Sequence, residues 1–350
     1  MAVRRTGLGF LIWVGSLIPA VVFASGVGDD AYPTRPITLV IEFPAGDRED
    51  LVARHLAEAL ADDLGQRVVV SNQPGGAGNA ALAAMAAMAA MAKADADGYT
   101  VRLAMRPAAT PEPAVERVPE GHSRGPFSAR GIDVSRDGVP VGLIAHLPHV
   151  LVMGKHVAAE TLPDVVALAK ESPGEFTCAS TGSGSTTHIL CDTLGEKAGV
   201  SWTHVPYGAG GTSAITDVIE GEVDFAVVTV ASALRFIKWD LVRPLAVFSE
   251  SRVVAIPSVP AIAEHGYADL EAQDWYAIVA PSGTPPQAVS RLNRAINEAY
   301  SDVELQKRMV KLGYVLPSPE SNTPDAVRAF ISGDAERQGE VLEPRGMKGL

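Results

Sequence analysis

The chain has 350 residues, 47% hydrophobic and 20% charged, which suits a packed globular protein with room for two domains. Its net charge of −12 and the lack of any basic patch exclude a general nucleic-acid binder, because binding to phosphates works by counterion release onto basic surface. The 8 histidines and 2 cysteines show no metal-ligand spacing, so neither a metal nor another cofactor is expected.

Arg4 and Arg5 precede an apolar run over 8–23 and then the small residues Ala24, Ser25 and Gly26. This is the pattern of a secretory signal peptide, assigned to 1–25. The run is short for a membrane span, and an uncleaved anchor is the alternative. No cysteine stands at the cleavage region to carry a lipid, and no other stretch is apolar enough to span a bilayer.

Residues 37–43 read as a buried strand, closed by a turn at Pro44, Ala45 and Gly46. Asp47 opens a helix that runs to about Leu64, with Val52, Leu56, Ala59 and Leu60 on its core-facing stripe. Asp47 and Asp50, three apart, suggest an acidic variant of the capping box. A strand follows over 67–70, then a glycine-rich turn, then an Ala- and Met-rich helix over 77–94. Met85, Met88 and Met91 drift around that helix and read as core filler. After a strand at 99–105, residues 107–137 are rich in Pro, Gly and Arg and show no periodicity.

Two apolar strands, 139–145 and 150–153, are expected either side of Pro148, and a helix at 162–170. Strands follow at 176–179, 203–205, 225–230, 243–248 and 275–280. Helices are expected at 185–198, 210–220, 231–237, 259–265, 285–300, 303–312 and 324–342. Strand and helix alternate almost throughout, which predicts an α/β protein with mostly parallel sheets. In such sheets ligands bind beyond the carboxyl ends of the strands, at helix N-termini.

The segment 176–188 organises the functional reading. A strand gives way to Ser180, Thr181, Gly182, Ser183, Gly184, Ser185 and Thr186, and then to a helix. The two glycines permit a positive-φ turn, and Ser185 is a good N-cap. Unpaired helix-start amides and the helix dipole then make an anion site. No general base or metal cluster stands beside it, so the segment is suited to holding an anion. Ser183 or Ser185 with His188 would be the serine and histidine of a secreted hydrolase, but the Gly-x-Ser-x-Gly elbow spacing is missing. Cys178 and Cys191 can form a disulfide in an oxidising compartment, or stay as two buried thiols.

Several motifs together resemble the substrate-binding proteins of tripartite tricarboxylate transporters, the Bug-type receptors. They are Tyr32-Pro33-x-Arg35-Pro36-Ile37, Phe43-Pro44-Ala45-Gly46, Asn72-x-Pro74-Gly75-Gly76-Ala77-Gly78-Asn79 and Asp97-Gly98-Tyr99-Thr100. Further along come Ser180-x-Gly182-x-Gly184-Ser185-x-x-His188, His204-Val205-Pro206-Tyr207, Val259-Pro260-x-x-x-Glu264-x-Gly266, and Trp275 with Pro281-x-Gly283-Thr284-Pro285.

The resemblance implies a two-domain periplasmic-binding-protein (Venus flytrap) fold with two inter-domain crossovers, near His146 and Phe248. Domain I would be 32–146 and 248–350, and domain II 147–247. It also implies a monomeric periplasmic receptor that closes on a small carboxylate and works with integral membrane transporter subunits, with no chemical step. A receptor that feeds a sensor kinase would share the same cleft. Carried over, the ligand contacts are Phe43, Pro44, Ala45, Gly46 and Asp47 in the first loop and Ser180 to Thr186 in the second, with Tyr207 and Thr229. The family usually has a second glycine and a Thr-Asp or Ser-Asp pair where this chain has Asp47, Arg48, Glu49 and Asp50. Asp47 would repel a bare ligand carboxylate, by about 1 kcal/mol at 4 Å in water. That favours an amino-acid-like or zwitterionic ligand, unless Asp47 merely folds back to cap its helix.

Overall fold

A computed structural model describes residues 32–73, 94–106, 110–111, 138–207, 211–342 and 347–348. The expected signal peptide, the Met-rich helix and most of 107–137 lie outside the described residues. In chain order the first elements are β1 (Ile37–Ile41), α1 (Arg48–Leu64), β2 (Val68–Asn72), β3 (Thr100–Met105), β4 (Thr110–Pro111) and β5 (Gly138–Met153). Next come α2 (Leu162–Glu171), β6 (Thr177–Ser180), α3 (Thr186–Ala198), β7 (Thr203–Pro206), α4 (Thr212–Glu220), β8 (Phe225–Thr229) and α5 (Val230–Lys238). The chain ends with β9 (Arg243–Val247), β10 (Gln273–Pro281), α6 (Pro286–Ala299), α7 (Val303–Lys311), α8 (Pro324–Leu342) and β11 (Met347–Lys348), which pairs with β4.

Local chemistry explains these elements. In α1, Val52, Leu56 and Leu60 face the core, and Gly65 ends the helix in the left-handed region at φ 65°, its N–H donating to Ala61 O. Each such side chain contributes about 1.5–3 kcal/mol by leaving water. Thr161 caps α2 in a reciprocal capping box with Asp164. The anticipated box at Asp47 and Asp50 does not form. Asp47 is the N-cap by position, but its side chain caps nothing, and Asp50 instead accepts from the Gly46 amide at 2.9 Å. The positive φ of Gly46, 91°, turns that amide inward.

The strands run in the order β2-β1-β3-β10-β5-β8-β6-β7, with β9 also on β5. The outer pairs are parallel, as expected: β1 with β2 and β3, and β6 with β7 and β8. The centre is antiparallel, because β5 meets β10, β8 and β9 in that sense. The mostly parallel expectation is therefore corrected at the middle of the sheet. Pro148 does not divide β5 into two strands. It sits where β5 changes neighbours, opposite Gln273 at the start of β10 and just before the pairing of His149 with Thr229 of β8. A residue without an N–H is tolerated at such a hand-over.

The two parts of β5 therefore belong to two halves of the sheet. One half buries Ile37, Leu39, Ile41, Leu103 and Ile144 against α1 and α6. The other buries Val150, Val152, Ala226 and Val228 on one face and Leu151, Met153, Phe225 and Val227 on the other. The chain crosses back near Phe248, whose N–H donates to His149 O at 2.8 Å, so both crossings meet at His149.

Candidate functional site

The carboxyl ends of β1, β6 and β8 carry the loops the sequence singled out. The first loop follows β1. Asp50, 2% exposed, holds it from below: its carboxylate accepts from Gly46 N, Arg54 Nε and Asn72 Nδ2, each at 2.9 Å. Asn72 Nδ2 also donates to Phe43 O at 3.0 Å. The hydrogen bond from Arg54, followed by those of Gly46 and Asn72, outweighs burial and holds the Asp50 carboxyl down at about 2. Just upstream, Arg102 Nη2 donates to buried Glu42 at 2.6 Å, and burial pushes the Glu42 carboxyl up. Pro44, Ala45, Gly46 and Asp47 are exposed, and Phe43 is half-buried.

The second loop is a self-contained lattice of small side chains. Ser185 caps α3 by accepting from His188 N at 3.2 Å, and its Oγ donates to Gly182 O at 2.6 Å. Thr181 N donates to Thr187 Oγ1 at 2.9 Å, and Gly182 N to Ser180 Oγ at 3.1 Å. Gly182 and Gly184 have φ of 133° and 78°, so both need the freedom of glycine. The amides of Ser183, Thr186 and Thr187 have no acceptor among the described residues. They form a group of unpaired amides at the positive end of a 13-residue helix, with Ser183 exposed and Thr186 and Thr187 buried.

Two histidines brace this loop. His188 Nδ1 accepts from Gly184 N at 3.0 Å, while its Nε2 lies 3.1 Å from Asp192. His204 stacks on His188 with ring centroids 3.7 Å apart, and its Nε2 bonds Ser180 Oγ at 2.7 Å. Burial, with the charge of His188 second, lowers His204 to about 4. The hydrolase pairing does not assemble: both His188 ring nitrogens are engaged away from Ser183 and Ser185, and Ser180, which does meet a histidine, is 0% exposed. Cys178 and Cys191 are joined by a disulfide (S–S 2.06 Å) that ties β6 to α3 around the loop.

Thr186 links the loop to the hinge. Its Oγ1 donates to Asp274 Oδ1 at 2.9 Å and accepts from Arg106 Nη1. Arg106 also grips Asp334 of α8 with Nε at 2.6 Å and Nη2 at 3.0 Å, and Trp275 Nε1 donates to the same carboxylate at 3.1 Å. Asp274 lies 3.3 Å from His149 Nε2. Burial pushes the Asp274 carboxyl up, but His149 and Arg106 outweigh it and hold it below its ordinary value. Sequence reasoning missed this cluster, since Arg106 and Asp334 are 228 residues apart and no motif joins them.

The remaining predicted residues are tied to neighbours. Thr229 caps α5, accepting from Ser232 N at 3.2 Å. Tyr207 donates its hydroxyl to Asp217 of α4. Arg48 Nη1 donates to Ser232 Oγ at 3.1 Å, which brings the first loop against the carboxyl end of β8, next to β6 in the sheet.

A two-half α/β sheet crossed twice by the chain, with glycine loops at facing strand ends, defines the periplasmic solute-binding class. Residues 52–347 match the tripartite tricarboxylate transporter family receptor, and the chain belongs to that family. Protein BugT of Bordetella pertussis (strain Tohama I / ATCC BAA-589 / NCTC 13251) is 33% identical over 337 residues, covering 96% of this chain and 97% of the relative. Among solved structures, R. palustris Rpa4515 with adipate superposes with a TM-score of 0.71 at 26% identity, covering 91% of this chain and 100% of that one. The periplasmic binding protein BugD gives a TM-score of 0.67 at 26% identity, covering 91% and 99%. The fold is thus the two-domain periplasmic-binding-protein fold, and the family is one of solute-binding receptors.

Proposed function

We propose that this protein captures a small carboxylate-bearing ligand between the two sheet halves and delivers it to integral membrane subunits of a tripartite tricarboxylate-type transporter. The observation that carries this reading is the group of unpaired amides of Ser183, Thr186 and Thr187, held by a hydrogen-bonded lattice at a helix N-terminus. The adipate in the related R. palustris structure supports a carboxylate as the ligand class. Ser180 to Thr186 hold the carboxylate, and residues 43–47 with Tyr207 and Thr229 line the facing side. Binding needs no chemical step, and a monomer suffices for it. Export through a signal peptide at 1–25 places the receptor in the periplasm. The hand-over in β5 supports domain I as 32–146 and 248–350 and domain II as 147–247.

The ligand also carries a cationic group. Asp47 is exposed at the first loop and its carboxylate makes no cap bond, so it stays available to a ligand. A thermal-shift panel of amino acids, dicarboxylates, citrate and aromatic acids tests the reading. A true ligand at 100 times its Kd stabilises by about 2.7 kcal/mol. A panel with no selective shift contradicts carboxylate capture. An Asp47→Gly variant with an unchanged ranking contradicts the part assigned to Asp47.

A further inference from the structure

The side-chain hydrogen bonds of Ser180, Thr181, Ser185 and Thr187 stay within the second loop, its helix or β7. Thr186 differs. It is the first residue of α3, next to the N-cap, and its hydroxyl leaves the loop for the other half of the sheet. There it accepts from Arg106, which follows β3, and donates at 2.9 Å to Asp274 on β10. Threonine is stiff at χ1, so a hydroxyl held by two partners fixes the backbone that carries the Thr186 amide.

Arg106 is itself pinned. The residue is buried, and its Nε and Nη2 both donate to the carboxylate of Asp334 on α8, at 2.6 and 3.0 Å. Trp275 Nε1 donates to the same carboxylate at 3.1 Å, and Phe330 of α8 meets the Trp275 ring edge-on, with centroids 6.4 Å apart. The guanidinium lies between two carboxylates, Asp334 and Asp274, so its charge is already matched. A ligand anion therefore gains little from it by attraction. What Arg106 gives the loop is direction: Nη1 is aimed at the Thr186 hydroxyl, with Asp274 Oδ1 at 3.6 Å on the far side of that bridge.

We propose that Arg106 is a positioning residue for ligand binding: through the Thr186 hydroxyl it fixes the first turn of α3, and with it the amides of Thr186 and Thr187, against the half of the sheet that carries the first loop. The inference rests on those amides taking the ligand's carboxylate. A site built from backbone amides depends on their direction, because a hydrogen bond weakens steeply as it bends. The hydroxyl bridges Arg106 and Asp274 much as a water would. Without it the two ions, 3.6 Å apart, can close on each other, so its loss frees α3 and strands neither charge.

The test is a double-mutant cycle on the purified protein, read in two ways. One is calorimetric titration with succinate, adipate, citrate and glutamate. The other, without ligand, is hydrogen exchange of the bonded loop amides of Gly184, His188 and Ile189. Thr186→Val removes the hydroxyl, and Arg106→Lys keeps a cation on Asp334 but loses the planar fork that also reaches Thr186. Each is expected to weaken the bound acid about tenfold, the contribution of one hydrogen bond to a charged group, and to speed exchange of the three amides. Thr186→Ser, which keeps the hydroxyl, should restore both. The double variant should bind within about threefold of the weaker single one, because both act through one bridge. Losses that multiply in the double variant overturn the positioning role and leave carboxylate capture standing. So does an Arg106→Lys variant that melts lower with affinity and exchange unchanged, as a merely structural arginine would. Failure of all four acids to bind the wild type overturns carboxylate capture, and the role of Arg106 with it.

Discussion

At the scale of single residues, Asp50 and His204 set the two ligand loops. Asp50 joins three donors from α1, β2 and the turn at Gly46, so Asp50→Ala removes all three charge-assisted bonds at once. The expected loss is about 2–3 kcal/mol in urea unfolding. Because its carboxyl is lowered from 3.8 to about 2, its contribution is complete above pH 3.8 and is lost as the pH falls toward 2. His204 has the same direction by a different route. As a base lowered from 6.5 to about 4, it favours the neutral form in the fold, so stability is full above pH 6.5 and falls as the pH drops from 6.5 to about 4. His204→Gln should flatten the melting temperature across that upper window and leave the decline below it. An unchanged profile between those limits would show that the stacked pair does not carry the titration. The sequence could not assign either role. Asp50 reads as a cap and His204 as one residue of a motif, because hydrogen bonds to Asn72 and stacking on His188 depend on which strands become neighbours.

At the scale of elements, the alternating apolar runs and helix punctuation were legible because each is local. Gly65, Ser185 and Thr161 end or start helices where their chemistry suggests. The failures are instructive. Pro148 argues for a break only if β5 keeps one neighbour, and it does not. Asp47 and Asp50 have capping-box spacing, but Gly46 turns its amide inward and claims Asp50. The disulfide between Cys178 and Cys191, 13 residues apart, closes a ring that contains the whole second loop. Spacing alone allowed a bond or two thiols. The chain-entropy treatment gives such a ring about 3 kcal/mol. A Cys178→Ala, Cys191→Ala double variant should therefore melt lower in calorimetry without reductant, and adding reductant should move the wild type toward it but leave the variant unchanged. Equal melting of the two proteins would refute the staple.

At the scale of the whole molecule, two halves of one sheet meet through few covalent crossings and one buried polar cluster. Arg106, Asp334, Asp274, His149 and Thr186 come from four elements and the segment after β3, and they couple the start of α3 to both crossings of the chain. Ligands of such receptors act by differential affinity for the closed arrangement, so a loop wired to the hinge is well placed to report occupancy. The fold was legible through the ordered motifs of the family. The polar cluster was not, because Arg106, Asp274 and Asp334 are brought together only by the antiparallel pairing of β3 with β10 and by α8.

The most direct test of the central claim is a crystal structure of the protein with the tightest acid found by thermal shift. The account predicts a ligand carboxylate between the two halves, within about 3 Å of the amides of Thr186 and Thr187. A carboxylate held elsewhere, with those amides untouched, would contradict it.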